Sequence, residues 1–343
     1  MLSCIIKQIP EDFIVREKAE LKFDPTGRFS YYILRKKGYS TQKAVEIISR
    51  IFRKKLKYIN FAGNKDKYAL TEQYISILHG PKKNLRRRDI TLEFLGRGRE
   101  RINLGDFIEN EFEITVRCVE KKPKAVTFFP NYYDIQRFGK NVNNHTIGRL
   151  IIQKRLREAC ESVPELREKL RKYGKDFAGC LRSLPKRVLR LYPHAYQSYL
   201  WNRIASEYIK TFSHYEIDFP LGKLAVPKYK IKNIEIPIPG YKLTRTGNRK
   251  LNLIIERILH EEGINPENFR QKIFPEFDLH GGSRELLAEI KNLRISRLME
   301  DELNPGKRKC VLKFSLPPGT VSYTHLRAHE TSLHLVCRLL LEK

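Results

Sequence analysis

Paired cysteines, long apolar runs and acidic side chains are all scarce in this sequence of 343 residues. The six cysteines are scattered and form no C-x-x-C pair, which argues against a zinc ribbon or a disulfide framework and is typical of a reducing compartment. No apolar run approaches the roughly 18 residues that a membrane-spanning helix needs. The first residues, MLSCIIKQIPEDF, are too soon acidic for a signal peptide. These absences predict a soluble, cytoplasmic protein that does not enter a membrane.

The acidic deficit is large: 67 lysines and arginines stand against 39 aspartates and glutamates, a formal net charge of +28. Phosphate contacts supply most of the sequence-independent affinity for nucleic acid, so this excess predicts a polyanionic partner. RNA or DNA is favoured over a membrane surface because the charge is spread through many folded-looking segments. Two basic clusters, 86–88 and 97–101, surround a predicted strand at 90–95. Each is either a phosphate-contacting edge or a solvated positive loop.

A tight turn is predicted within residues 57–78, where the letters GNKD interrupt two β-rich runs. Glycine and asparagine tolerate positive φ, and short polar side chains bond their own backbone. Asp66 lies in this turn between Lys65 and Lys67. Nearby positive charge favours the ionised carboxylate and lowers its pKa, which suits a nucleophile or a general base. From the residues alone, a solvated turn aspartate remains the alternative.

An aromatic and amide stretch follows at 129–139, reading FPNYYDIQRFG. Proline and asparagine indicate a turn, two adjacent tyrosines follow, and an arginine is close by. Such a surface is typical of proteins that stack a splayed-out base and hydrogen-bond its polar edge. An aromatic corner packed into the core explains the pattern equally well.

Both stretches resemble signatures of the tRNA pseudouridine synthase D family. The letters AGNKDKYALTEQ fit the family pattern A-G-x-K-D-K/R-x-A-x-T-x-Q without a gap, and the resemblance implies that Asp66 is the catalytic residue. The motif P-E-D-F-x-V-x-E resembles the N-terminal segment of the family's proteins, in which a lysine just upstream lies near the active site. The corresponding position in this sequence is Lys7. The stretch PNYYDIQRFG is similar to P-N-Y-F-G-x-Q-R-F-G, which implies that Asn131 and Tyr133 contact the active site.

Two departures from the family pattern fall in this second stretch. Tyr133 replaces the usual phenylalanine, and its hydroxyl needs a partner if it is buried. Asp134 replaces the usual glycine and adds negative charge near a site that must accept phosphate. The expected substrate-binding residues are Asn131, Tyr133, Lys65, Lys7 and Arg137, with the lysines holding phosphates.

The fold expected from the mixed strand and helix signals and from the resemblance is α+β. It combines a pseudouridine synthase-type mixed or antiparallel sheet with helices, and an inserted α/β domain specific to the family. Residues 1–157 and 283–343 are expected to form the catalytic domain and 158–282 the insertion, with 281–295 and 311–316 returning to the sheet. The tail at 321–343 does not resemble the family's ending, and a frameshift or assembly artefact explains it better than a zinc site does. Its metal-like spacing comes from His325, His329, His334 and Cys337.

The function implied by the resemblance is that of a tRNA pseudouridine synthase, which isomerises uridine to pseudouridine at the thirteenth position of tRNA. No cofactor and no metal are expected, the partner is tRNA, and no obligatory protein partner is evident. Two alternatives stay open. One is the same chemistry on messenger or ribosomal RNA. The other is a non-catalytic basic RNA-binding protein, which explains the charge and the aromatic residues but gives no reason for the K-D turn.

Overall fold

The computed structural model describes residues 4–275, 277 and 279–317, so the predictions for the 321–343 tail lie outside the described residues. The chain divides into two compact units. Unit 1 comprises Met1–Phe129 and Glu289–Lys343, and unit 2 comprises Pro130–Ala288. The sequence predicts domain boundaries after 157 and 282, whereas the chain passes between the units after 129 and after 288. None of the helices within the described residues combines the length and the hydrophobicity that spanning a bilayer requires.

The helices and strands cover both units. The strands in the described residues are, in chain order, β1 (Ile5–Ile6), β2 (Phe13–Lys18), β3 (Phe29–Lys37), β4 (Ile59–Phe61), β5 (Leu70–Leu78), β6 (Leu85–Arg87), β7 (Ile90–Gly98), β8 (Glu109–Arg117), β9 (Phe128–Pro130), β10 (His214–Phe219), β11 (Gly222–Pro227), β12 (Glu235–Ile238), β13 (Gly282–Glu285), β14 (Leu287–Glu289), β15 (Lys291–Ile295), β16 (Met299–Glu300) and β17 (Arg308–Leu316). The α-helices are α1 (Thr41–Ile51), α2 (Asn144–Ile152), α3 (Leu156–Glu161), α4 (Pro164–Arg167), α5 (Leu170–Tyr173), α6 (Phe177–Arg182), α7 (Lys186–Ile209) and α8 (Arg249–Glu261). Short 3₁₀ turns lie at Pro10–Asp12, Leu56–Tyr58, Ile135–Phe138 and Pro266–Phe269.

Unit 1 is built on one large sheet, with eleven strands within the described residues. The main order is β15-β17-β8-β2-β5-β3-β7-β6, with β1 paired to β8, β4 paired to β5 and β16 paired to β17. Strands β2 and β5 run parallel, whereas β3 is antiparallel to both β5 and β7, and β17 is antiparallel to β8. The sheet is therefore mixed, and the predicted α+β class with a mixed or antiparallel sheet is confirmed.

Helix α1 covers one face of this sheet. Its apolar residues Ala44, Val45 and Ile48 recur at helical spacing, so they form one stripe that is buried against β3, β5 and β7. The Ser40 hydroxyl caps the helix by accepting a hydrogen bond from the Lys43 amide at 3.2 Å. The sequence predicts this helix at 41–53, and it ends two residues earlier. The packing places the first residue of α1 beside the turn that carries the candidate carboxylate.

Unit 2 is organised around the long helix α7, which carries the chain's single tryptophan, Trp201, with no exposed surface. Helix α2 approaches α7 at Gly148, where a Cβ atom would lie 2.0 Å from the carbonyl oxygen of Tyr192. Only glycine fits this contact. The helix predicted at 146–159 is divided into α2 and α3 because Lys154 adopts a left-handed φ of 61°. The stretch predicted to return to the large sheet at 281–295 is also divided, because β13 pairs with β12 in unit 2 and only β15 joins the large sheet.

Candidate active site

A carboxylate and an ammonium group form the centre of the candidate site in unit 1. Asp66 lies in the turn between β4 and β5, and the Nζ of Lys7 donates to its Oδ2 at 2.6 Å. The two side chains are 14% and 10% exposed, so the pair is mostly shielded from water. Lys7 has a φ of 62°, a left-handed conformation that is uncommon for a residue with a Cβ atom. The structure therefore brings together two of the residues that the sequence singled out, Asp66 and Lys7.

Lys36 holds the backbone of the same turn, and sequence reasoning missed it. Its Nζ donates to the carbonyl oxygens of Tyr39 and Asp66, both at 2.7 Å, and to that of Lys65 at 3.3 Å. Burial lowers the pKa of Lys36 to about 7; the charge of Lys65 acts in the same direction and that of Asp66 opposes it. The sequence carried a signal, because alternate residues of β3 share a face and Lys36 continues the buried stripe of Tyr32 and Leu34.

Lys65 points into the protein. Its Nζ donates to Glu17 Oε2 at 2.6 Å and to Asn110 Oδ1 at 2.8 Å, and both members of the Lys65–Glu17 ion pair are buried. Its backbone amide donates to the Thr41 hydroxyl, at the start of α1, at 2.8 Å. The prediction that Lys65 holds a substrate phosphate does not fit this arrangement, because its ammonium would have to leave a buried carboxylate. The lysine instead ties the turn to β2 and β8.

A short chain of hydrogen bonds completes the support of the turn. The Thr41 hydroxyl donates to Gln73 Oε1 at 2.8 Å, and Gln73 Nε2 donates to the carbonyl oxygen of Gly63 at 2.8 Å. Thr41 and Gln73 are both buried, so these bonds are shielded from water. The backbone of the turn is therefore bonded at Gly63, Lys65 and Asp66, and the Asp66 carboxylate is presented from a fixed frame.

The second predicted stretch forms a separate cluster in unit 2. Asn131 is 4% exposed, and its backbone amide donates to the carbonyl oxygen of Leu286 at 2.8 Å. Its side-chain Nδ2 donates to the carbonyl oxygen of Glu285 at 3.1 Å, while its Oδ1 accepts from Arg284 Nη2 at 2.5 Å. Arg284 lies 153 residues further along the chain, so no local pattern could have linked it to Asn131.

Tyr133 is packed as an aromatic corner, the alternative that the residues had left open. The ring is 6% exposed, meets Trp201 edge-on at 5.6 Å, and has the guanidinium of Arg284 at 4.4 Å from its centroid. Base stacking on that face requires the guanidinium to move. Arg137 is buried and donates to the Ser198 hydroxyl at 3.0 Å, and burial lowers its pKa. This burial does not fit the predicted contact of Arg137 with substrate. It fits a role in holding the Tyr133 ring, because the guanidinium carbon of Arg137 lies 5.6 Å from the centroid of that ring.

Within the described residues, no group of three or more histidine, cysteine, aspartate or glutamate side chains is placed to hold a metal ion. The histidine and cysteine spacing at 325–337 lies outside the described residues.

Comparisons with known proteins agree on one family. The family model for tRNA pseudouridine synthase D matches residues 2–164, 164–218 and 226–328. A protein of Aquifex aeolicus named tRNA pseudouridine synthase D is 31% identical, over 94% of this chain and 97% of its own length. A relative from Nanoarchaeum equitans, named probable tRNA pseudouridine synthase D, is 30% identical over the same shares. A crystal structure described as that of the putative tRNA pseudouridine synthase D from Methanosarcina mazei superposes with a TM-score of 0.72 at 29% identity, over 96% of this chain and 93% of that one.

Proposed function

This chain belongs to the tRNA pseudouridine synthase D family, and we propose that it isomerises uridine to pseudouridine at the thirteenth nucleotide of tRNA with Asp66 as its catalytic residue. The observation that carries the proposal is the Asp66 carboxylate, presented from a turn whose backbone is bonded on several sides and paired with the Lys7 ammonium at 2.6 Å. A cation at this distance stabilises the negative charge of the carboxylate. The resemblance of the surrounding letters to the family signature supports the same assignment.

The reaction breaks the glycosidic C1′–N1 bond, rotates the uracil and rejoins it through C5. As a nucleophile, Asp66 attacks C1′ or C6; as a base, it removes the 2′ proton and leaves a glycal. Each route needs an ionised carboxylate, which the Lys7 ammonium favours. The nucleotide has to leave its stack to reach the carboxylate, at a cost of a few kcal/mol. RNA binding energy must supply that cost.

The remaining residues take supporting roles in this proposal. Lys36 and Lys65 are positioning residues, because their ammonium groups bind backbone or side-chain oxygens inside unit 1 and not solvent. Asn131 and Tyr133 of unit 2 are proposed as substrate contacts because of the family resemblance, and stacking of a base on the Tyr133 ring requires the Arg284 guanidinium to leave the ring face. A chain that only bound RNA would have no use for a carboxylate held in a rigid frame.

The test is pseudouridine mapping by carbodiimide adducts and primer extension on unmodified tRNA transcripts. The wild-type protein should give one new stop, at the thirteenth nucleotide, and Asp66→Asn should give none. Binding of the transcript by Asp66→Asn should stay within about twofold of wild type, because a single carboxylate contributes little to phosphate affinity. Glu20→Gln, which makes the same chemical change at an exposed position, is the matched control and should keep full activity.

Each other result has a definite meaning. Turnover by Asp66→Asn would remove Asp66 from the chemistry. A stop at another nucleotide would support pseudouridine synthase activity and refute the thirteenth nucleotide as its target. Loss of binding in step with turnover would make Asp66 a structural residue.

A further inference from the structure

Eight exposed cations gather at one edge of unit 1, a surface that we name the basic edge. They are Arg53, Lys55, Lys57, Lys82, Lys83, Arg86, Arg87 and Arg88. Within the part of the chain that the structure describes, none of them forms an ion pair with a carboxylate. Some other exposed cations of this unit are neutralised, such as Arg35, which contacts Glu72 and Glu93 at 2.6 Å each, and Lys18, which contacts Glu111 at 2.5 Å. What distinguishes the basic edge is that its eight uncompensated cations come from two short runs, 53–57 and 82–88.

The fold brings two separate basic runs together to make this edge. Phe52, at the end of α1, and Leu85, on β6, pack into the same hydrophobic cluster. The Lys83 ammonium lies 5.8 Å from the centroid of the Phe52 ring. The run at 53–57 therefore lies beside the run at 82–88, although about 30 residues separate them in sequence.

The basic edge is held in place by hydrogen bonds of the residues that lie between its cations in sequence. Asn84 Oδ1 accepts from the Phe94 amide at 2.8 Å, and the Tyr32 hydroxyl donates to the carbonyl oxygen of Pro81 at 2.5 Å. Strand β6 also pairs with β7 as the edge strand of the sheet. Because the backbone between the cations is anchored, binding an anion orders only the exposed side chains and costs little backbone freedom.

Helix α1 sets the distance between the basic edge and the candidate carboxylate. Its first residue, Thr41, accepts from the Lys65 amide in the catalytic turn, and its last, Ile51, adjoins the basic edge. Eleven residues at 1.5 Å each make the helix about 16 Å long. An RNA that places a uridine at Asp66 therefore meets the basic edge with nucleotides other than the reacting one.

We propose that the basic edge binds the phosphate backbone of the substrate RNA about one helix length away from the reacting nucleotide. The inference rests on the proposed function and names a part of the RNA-binding surface that the catalytic turn does not supply. Arginine and lysine without carboxylate partners bind phosphate oxygens by charge and hydrogen bonds, so the contact is independent of sequence. The basic edge should therefore add affinity and leave the chemical step unchanged.

The test compares two triple variants with the same change in net charge. Arg86→Gln/Arg87→Gln/Arg88→Gln removes cations of the basic edge. Arg155→Gln/Arg157→Gln/Arg257→Gln removes exposed arginines that already have glutamate partners. Affinity for an unmodified tRNA transcript is measured between 50 and 200 mM KCl, and kcat and KM are measured at one salt concentration. Far-UV circular dichroism first establishes that each variant is folded.

Loss of three phosphate contacts should lower the slope of log affinity against log salt by about 2 to 3, because each contact contributes about 0.7 to 0.9. The basic-edge variant should bind about tenfold more weakly or worse, with KM raised and kcat unchanged, while the control variant stays near wild type. An unchanged slope, or equal shifts in both variants, would overturn the proposal. The proposal would also be overturned if the basic-edge variant kept its affinity for tRNA but lost binding to phosphatidylserine vesicles. A third outcome separates the two proposals. If the basic-edge variant lowers the slope of log affinity against log salt, but the wild-type protein forms no pseudouridine, the proposed function is refuted and this inference stands.

Discussion

Replacing Lys36 with methionine should change how the stability of unit 1 depends on pH. Lys36 is 3% exposed, and burial holds its pKa at about 7, against 10.5 for an ordinary lysine. Below pH 7 the amine is protonated in both the folded and the unfolded chain, so it adds no pH dependence. Between pH 7 and 10.5 the unfolded chain binds a proton that the folded chain does not, so the free energy of unfolding rises with pH. Above 10.5 the contribution is constant again.

The size of the effect follows from the two pKa values. At about 1.36 kcal/mol per pH unit, the interval from 7 to 10.5 corresponds to about 5 kcal/mol. Between pH 6.5 and 10 the expected gain is about 4 kcal/mol. Other titrating groups also change stability over this range. They are shared by wild type and Lys36→Met, so the difference between the two proteins isolates Lys36.

The assay is urea unfolding at pH 6.5, 7.5, 8.5 and 10, followed by far-UV circular dichroism. Tryptophan fluorescence is less suitable because Trp201 lies in unit 2 and reports that unit. The difference in unfolding free energy between wild type and Lys36→Met should grow with pH in favour of wild type. Lys43→Met, at an exposed position on α1, is the matched control and should differ from wild type by a constant amount.

A difference between wild type and Lys36→Met that does not change with pH would refute the reasoning. It would mean that the three carbonyl oxygens and Asp66 offset the desolvation of the ammonium completely. A second readout separates position from stability. Because the Asp66 carbonyl oxygen loses its donor in Lys36→Met, kcat should fall more than KM rises at pH 6.5, where urea unfolding shows that the variant is folded.

Two further substitutions test the packing that supports the site and unit 2. Lys65→Met should lower the free energy of unfolding in urea by about 3–5 kcal/mol because it leaves the buried Glu17 without its ion-pair partner. Adding Glu17→Gln should recover part of the loss, and additive losses would contradict a direct coupling. Gly148→Ala should destabilise unit 2 by about 1–3 kcal/mol, measured by tryptophan fluorescence, because the added methyl group would meet the Tyr192 carbonyl oxygen. Gly247→Ala is the control and should be near neutral, because a Cβ atom there meets nothing within 4 Å. Equal effects of the two substitutions would count against the close contact.

Local patterns predicted much of unit 1. The sequence predicts a strand at 90–95, β-rich runs on both sides of the GNKD turn within 57–78 and a helix at 41–53, which correspond to β7, to β4 and β5, and to α1. These predictions follow from alternation and helical spacing, which depend on near neighbours in sequence. The meeting of Lys7 with Asp66 followed from the family resemblance and not from spacing.

What the sequence did not predict depends on distant contacts. Lys65 looked like a phosphate ligand because its partners, Glu17 and Asn110, lie 48 and 45 residues away. Arg284 reaches Tyr133 only because β13 is placed beside it by the fold of unit 2.

The order of strands in the large sheet also constrains how the chain is made. Strand β17 pairs with β8 along its length, yet residues 130–288 are synthesised between them. Until residues 308–316 leave the ribosome, β8 has an open edge with unpaired backbone groups. Phe112, on β8, also lacks the stacking partner that Phe314 provides in the finished sheet. Unit 1 therefore begins to form first and is completed last, and a nascent chain that stalls within unit 2 exposes an unpaired strand edge that is prone to aggregation.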